Sequence, residues 1–116
     1  MEPETNNEKI TIDEFAKIEV KVCTVLSCEA VPDTEKLLKL IVDCGEMTPR
    51  QIISGIASYV EEPSSLVGKQ LSFVTNLQPR TLRGLVSDGM LFAVGERDTF
   101  AFMIPDRGVP SGTGAH

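Results

Sequence analysis

The chain has 116 residues, 41% of them hydrophobic and 24% charged, enough for one domain with one modest core. Its 17 Asp and Glu outnumber its 11 Lys and Arg, for a net charge of −6 that argues against a uniformly basic polyanion binder. No run approaches the ~20 apolar residues of a membrane-spanning helix. The acidic start MEPETNNEK is unlike a secretory or mitochondrial leader, so a cytoplasmic address and no membrane partner are expected.

Residues 1–9 have no hydrophobic period and are expected to be disordered, leaving 10–116 as the folded domain. Thr11-Ile12-Asp13-Glu14 fits a capping box that opens a short helix to about Ile18, with Phe15 and Ile18 on its inner face. A half-buried strand follows to about Leu26, with Ile18, Val20 and Val22 on one side and Glu19, Lys21 and Cys23 on the other. Pro32-Asp33-Thr34 marks a turn, and Leu38, Leu40 and Val42 alternate as a second strand. Residues 51–54 make a third, and Pro63 to Gly68 one helical turn. Strands over 70–75, 89–94 and 100–104 complete the set, with a hairpin turn at 95–98. Short strands with glycines at the bends and little helix predict an all-β fold. The leading choice is an OB-type barrel and the competitor an SH3-like barrel, closure removing the exposed edges.

The catalytic inventory is poor. Cys23, Cys28 and Cys44 form no C-x-x-C pair and read as small hydrophobes, so neither a disulfide framework nor a metal site is expected. His116 is the only histidine and the last residue. Ser54-Gly55 lacks the flanking glycine of a nucleophile elbow, and the scattered glycines make no phosphate-cradling loop. Asp43 and Glu46 read as solvated turn acids. The expectation is a binder, not an enzyme, with no cofactor.

Charge distribution matters more than its sum. Residues 1–35 hold nine acids and three lysines, whereas residues 36–116 hold eight acids and eight bases. Between Ser64 and Gly95, Lys69, Arg80 and Arg83 face Asp88 alone. The aromatics Phe15, Tyr59, Phe73, Phe92, Phe100 and Phe102 lie in or beside apolar runs and read as core, so base stacking is not the expected mode. Recognition of folded RNA by shape and phosphate position would instead need a few placed donors. The stretch NLQPRTLRGLVSDGM, residues 76–90, offers Asn76, Arg80, Arg83 and Ser87, with Met90 as an adaptable apolar contact. On chemistry alone the same stretch reads slightly better as a solvated hairpin whose arginines cover apolar surface.

Six segments stand in order along the chain: DEFAKIEVKV (13–22), EKLLKLIVDCG (35–45), ISGI (53–56), LVGK (66–69), NLQPRTLRG (76–84) and SDGM (87–90). Together they resemble the tRNA-binding domain found at the C-terminus of bacterial methionyl-tRNA synthetases. The same domain occurs in free-standing structure-specific tRNA-binding proteins and in the endothelial-monocyte-activating polypeptide. The resemblance implies a five-stranded Greek-key OB-fold barrel with a short N-terminal helix and an extra C-terminal strand. It implies a homodimer that binds tRNA by shape, free-standing or with an aminoacyl-tRNA synthetase as partner. Matched position by position, the tRNA contacts would be Lys36, Asn76, Arg80, Arg83, Ser87 and Met90, with Lys39 and Lys69 secondary. Dimer contacts would be Phe15, Ile18, Phe100, Phe102, Ile104 and Val109. The chain departs from the family at Val31-Pro32, where many members have His-Pro, and at Gln78 and Thr81, where many have lysines. Both departures remove positive charge. They keep open the alternatives of a dimerisation module with weak or lost tRNA binding and of an export-chaperone-like dimer.

Overall fold

A computed structural model describes residues 8–116, so most of the segment expected to be disordered lies outside the described residues. The capping box forms as the sequence predicts: the Glu14 amide donates to Thr11 Oγ1 (3.1 Å) and the Thr11 amide to Glu14 Oε1 (2.9 Å). The helix it opens, α1 (Ile12–Phe15), is a single turn that buries nothing. Phe15 and Ile18, expected to face inward, are 48% and 50% exposed because nothing else among the described residues covers them.

Strand β1 (Val20–Ala30) is the spine of the molecule. One edge pairs with β4 (Gln70–Val74); the other pairs with β10 (Thr113–Ala115) and then β2 (Leu38–Asp43). A bulge between Val25 and Ser27 adds one residue, exposes Leu26 and inverts the side-chain phase. Cys23 and Val25 therefore face the core before it and Cys28 after it. This corrects the expected phase of the strand: Cys23 lies on the core face, and Val22 is buried outside the central cluster.

The second strand keeps its predicted alternation, with Leu38, Leu40 and Val42 essentially inaccessible. It pairs with β3 (Arg50–Ser54), and two 3₁₀ turns, Ala57–Tyr59 and Pro63–Leu66, lead to β4. Next come β5 (Arg80–Leu82), β6 (Leu85–Ser87), β7 (Met90–Leu91), β8 (Ala93–Val94) and β9 (Ala101–Phe102). The predicted strand over 89–94 is broken at Phe92, whose amide turns to the Ser72 carbonyl (2.9 Å). The predicted strand over 100–104 shrinks to two residues, and β10 is an addition the sequence pattern did not reveal.

The main sheet runs β3-β2-β1-β4-β7 and curls toward closure between β3 and the segment entering β7. Individual hydrogen bonds span that seam: Asp88 N to Gln51 O (2.8 Å), Ile53 N to Ser87 Oγ (2.9 Å) and Gln51 Nε2 to Val86 O (2.9 Å). The architecture is an OB-type barrel, as the pattern of short strands indicated, with the 3₁₀ turns between β3 and β4. Phe73, Leu38, Leu40, Ile52 and Leu71 fill the core, each burial stabilising by roughly 1.5–3 kcal/mol. Of the six aromatics read as core, only Phe73 is fully buried. Phe100 and Phe102 pack at the core margin, while Phe15, Tyr59 and Phe92 are substantially exposed. Tyr59 stacks on Phe100 with ring centroids 4.2 Å apart. The cysteines are free and buried, and the Cys23 thiol donates to Cys44 across the two strands (2.6 Å). That contact pushes the Cys23 thiol pKa up and the Cys44 pKa down.

Candidate nucleic-acid interface

OB barrels present ligands to the loop between their first two strands and the loop between their last two. Here these are residues 31–37, joining β1 to β2, and residues 75–89, joining β4 to β7. The second is not an open loop. It contains the β5–β6 hairpin, in register through Arg80↔Ser87, Thr81↔Val86 and Leu82↔Leu85. Its two-residue turn is Arg83-Gly84, with φ of +52° and +80°. Two positive φ values make a type I′ turn, whose twist matches that of the flanking strands. The Leu-Arg-Gly-Leu stretch flanked by Thr81 and Val86 is thus a hairpin signal, although arginine replaces the usual Asn or Asp.

Arg80 leaves β5 toward a cleft of about 210 Å³, which it lines with Ile53, Leu77, Ser87 and Met90. Arg83, at the tip, shares a shallow concavity with Thr34, Glu35 and Lys36 of the first loop. The first loop is itself braced: Asp33 has φ of +63°, Thr34 Oγ1 donates to Val31 O (2.8 Å), and the Lys36 carbonyl accepts from Ala57 N (3.0 Å). Two loops far apart in sequence therefore bring Lys36 and Arg83 to one place. Lys36, Arg80 and Arg83 have no salt bridge to an acid among the described residues. Asp88, the only acid near the two arginines in sequence, lies 3.6 Å from Arg50 instead. All three cations are exposed and free to meet an anion.

The other candidates fare differently. Asn76 is exposed, but its amide is occupied: Oδ1 accepts from Glu19 N (2.8 Å) and Nδ2 donates to Lys17 O (2.5 Å). Ser87, expected to offer a free hydroxyl, is 5% exposed and spans the barrel seam, accepting from Ile53 N and donating to Gly89 O (3.1 Å). A serine at the seam stands in for a missing ladder hydrogen bond, which is why its hydroxyl turns inward. Met90 is 46% exposed at the cleft edge. Of the secondary candidates, Lys39 is paired with Glu29 (3.3 Å) and Lys69 lines a groove on another side of the barrel.

Sequence reasoning missed Arg50. Its guanidinium grips the Glu46 carboxylate through Nε (2.8 Å) and Nη2 (2.7 Å), and Nη1 donates to the carbonyls of Thr75 (2.7 Å) and Asp88 (3.2 Å). The Arg50 hydrogen bonds hold the Glu46 carboxyl below its ordinary range. The spacing Glu46 to Arg50 is no signal in a strand, so only the fold reveals this pairing.

Four of the six dimer candidates line two grooves, and Phe100 instead packs at the core margin against Tyr59. Phe15 and Ile18 line an apolar one with Ile12, Phe92, Ala115 and His116. Phe102 and Ile104 line another with Leu66, Lys69 and Leu71. Val109 is tied to β4 by Gln70, which donates to its carbonyl (2.6 Å) and accepts from its amide (3.0 Å).

Fold and site together define an OB-barrel binding module whose exposed cations sit on the two loops that such barrels use for polymeric ligands. Residues 20–114 match the family model described as "Putative tRNA binding domain". The chain belongs to this tRNA-binding domain family. Over 106 residues it is 44% identical to the methionine–tRNA ligase of Methanococcus aeolicus, an alignment covering 91% of the chain and 15% of that enzyme. The chain thus spans about one-sixth of the length of such relatives. The crystal structure of a MetRS-related protein from Pyrococcus horikoshii superposes with a TM-score of 0.86 at 37% identity, covering 94% of this chain and 99% of that one. The chaperone CsaA of Bacillus anthracis shares the fold at 24% identity, with a TM-score of 0.81 over 94% of this chain and all of that one. Among the described residues no helix is long and apolar enough to cross a membrane.

Proposed function

We propose that the chain binds tRNA through its backbone, with Arg80 and Arg83 on the β5–β6 hairpin and Lys36 on the facing loop as the phosphate-contacting donors. The convergence of the Arg83 tip on the Lys36 loop, within a tRNA-binding family, is the observation that carries this reading. Each guanidinium can fork two donors onto a phosphate, and the few exposed aromatics favour shape over base stacking. Asn76 and Ser87 then act by holding the strand ends, and Met90 as an apolar edge. The module would have no chemistry of its own and would work free-standing or beside an aminoacyl-tRNA synthetase.

A second reading is favoured by the groove of Ile12, Phe15, Ile18 and Phe92, a set of exposed apolar side chains that a second copy of the chain would cover. Homodimerisation is compatible with tRNA binding and doubles the number of arginine hairpins. It becomes the primary role if RNA binding is absent.

The test is the double variant R80A/R83A in a tRNA gel shift at about 50 mM salt, beside light scattering and thermal melts. The expected result is loss of most of the shift with mass and melting unchanged. The log–log salt slope should fall by roughly 0.7–0.9 for every phosphate that is no longer neutralised. Wild-type affinity in a folded double variant would remove the site assignment. A dimer that ignores tRNA even as wild type would select the second reading.

A further inference from the structure

We infer that Arg50 is a positioning residue for the arginine hairpin, clasping the two ends of the segment that carries Arg80 and Arg83. This rests on the assignment of those arginines to RNA contact. The segment that carries the hairpin runs from Thr75 at the end of β4 to Asp88 before β7. One Arg50 Nη1 reaches the carbonyls of both, at 2.7 and 3.2 Å, and so fixes the distance between the two ends. The opposite edge of the guanidinium is locked on Glu46 by two bonds, and the side chain is only 15% exposed. Both ends are also fastened elsewhere: the Thr75 amide donates to Glu19 O (2.9 Å) and its hydroxyl to Glu19 Oε1 (2.6 Å), while the Asp88 amide donates to Gln51 O. Arg50 adds a side-chain link between these two anchor points, next to the β4–β7 pairing of Val74 with Met90.

The geometry matters because the hairpin is held to β3 only along β6, by Gln51 Nε2 on Val86 O and Ile53 N on Ser87 Oγ, among the described hydrogen bonds. Thr81, Arg83, Gly84 and Val86 are exposed, and β5 and β6 form a two-stranded sheet of their own. A two-stranded ribbon is marginal alone, so its orientation depends on how its base is held. A planar fork can serve a carboxylate and two carbonyls together, whereas a lysine ammonium at the end of a flexible stem cannot hold that geometry. Arg50 therefore affects RNA binding through the spacing and aim of Arg80 and Arg83 rather than through its own charge.

The test is Arg50→Lys, which keeps the charge, combined with R80A/R83A in a double-mutant cycle read by tRNA affinity. Amide hydrogen exchange is measured on the same proteins without RNA. R50K should weaken tRNA binding by about tenfold in the wild-type background and by less than about twofold in the R80A/R83A background. Exchange should accelerate at Leu82 and Leu85, the hydrogen-bonded pair that closes the turn, while β1 and β2 amides stay protected. Equal losses in both backgrounds, undiminished affinity, or a uniform loss of protection would overturn the inference. If R50K does not fold, Glu46→Gln, which frees one edge of the guanidinium, is carried through the same cycle. Should R80A/R83A itself bind like wild type, the site assignment falls, and hairpin exchange alone decides whether Arg50 is a clasp.

Discussion

Arg83 occupies a backbone position that favours Asn or Gly, which leads to a prediction of opposite signs for stability and binding. In the left-handed region a residue with a Cβ is disfavoured by roughly 1–2 kcal/mol, and the first position of a type I′ turn selects Asn most strongly. Arg83 sits there at φ +52°, exposed, with no hydrogen bond or ion pair from its side chain to the described residues. Replacing it by Asn should relieve part of that cost and break no such interaction. Because the hairpin is peripheral, about 0.5–1 kcal/mol of global stabilisation is expected, a rise in Tm of roughly 2–6 °C for a domain of this size. The same change removes a charge-assisted phosphate contact worth about 1.5–3 kcal/mol, so tRNA affinity should fall roughly 10- to 100-fold. The log–log salt slope should flatten by about one. Differential scanning calorimetry and a salt-series binding assay on R83N read the two effects separately. If R83N melts below wild type, the turn is not strained by arginine. If it melts higher and binds tRNA unchanged, arginine is not kept there for RNA.

The other predictions concern the barrel and its clasp. Gly45 has φ +77°, and a Cβ there would lie 2.5 Å from the Ser111 carbonyl oxygen. Gly45→Ala should destabilise by about 1–3 kcal/mol in denaturant titration and raise exchange at Gly112, whose amide donates to Val22 O of β1 (2.7 Å). A variant with unchanged midpoint and exchange would mean the C-terminal strand does not pack as described. The Glu46 carboxyl is held below its ordinary value of 4.5 by its bonds to Arg50. Its contribution is thus complete above the unfolded-state pKa and is lost as pH falls through the lower folded-state value. Urea midpoints of wild type should fall more steeply than those of Glu46→Gln between about pH 5 and pH 3. Parallel acid limbs would show that the Glu46–Arg50 pair carries no stability.

The barrel was legible because its signals are local. Alternation at Leu38, Leu40 and Val42, the Thr11–Glu14 capping box and the Pro63 turn each dictate their own segment, and each forms as predicted. What failed was long-range. The phase of β1 depends on a bulge at Leu26, and Ser, Leu and Cys around it carry no mark of one. Phe15 and Phe92 look like core in sequence, yet they line an open groove because hydrophobicity does not say which chain will cover it. The roles of Asn76 and Ser87 were hidden for a related reason. A polar side chain in a loop reads as a free donor until the fold shows a strand amide waiting for it, here Glu19 N for Asn76 and Ile53 N for Ser87.

The same distinction explains how an acidic chain can hold a site for a polyanion. Arginines in this protein divide by what surrounds them rather than by local sequence charge. Arg50, beside Glu46 and Asp88, is neutralised and mostly buried, and its donors go to backbone carbonyls as well as to Glu46. Arg80 and Arg83 are exposed on a hairpin from which Asp88 has been drawn away by Arg50. One cation thus anchors the loop and pairs with Asp88, the acid nearest the other two in sequence, while those two have no salt bridge among the described residues. Removing Arg50 would leave the Glu46 and Asp88 carboxylates without their cation as well as loosening the base. An electrostatic and a geometric effect of Arg50 would act in the same direction, which is why the charge-preserving lysine, and not alanine, separates them.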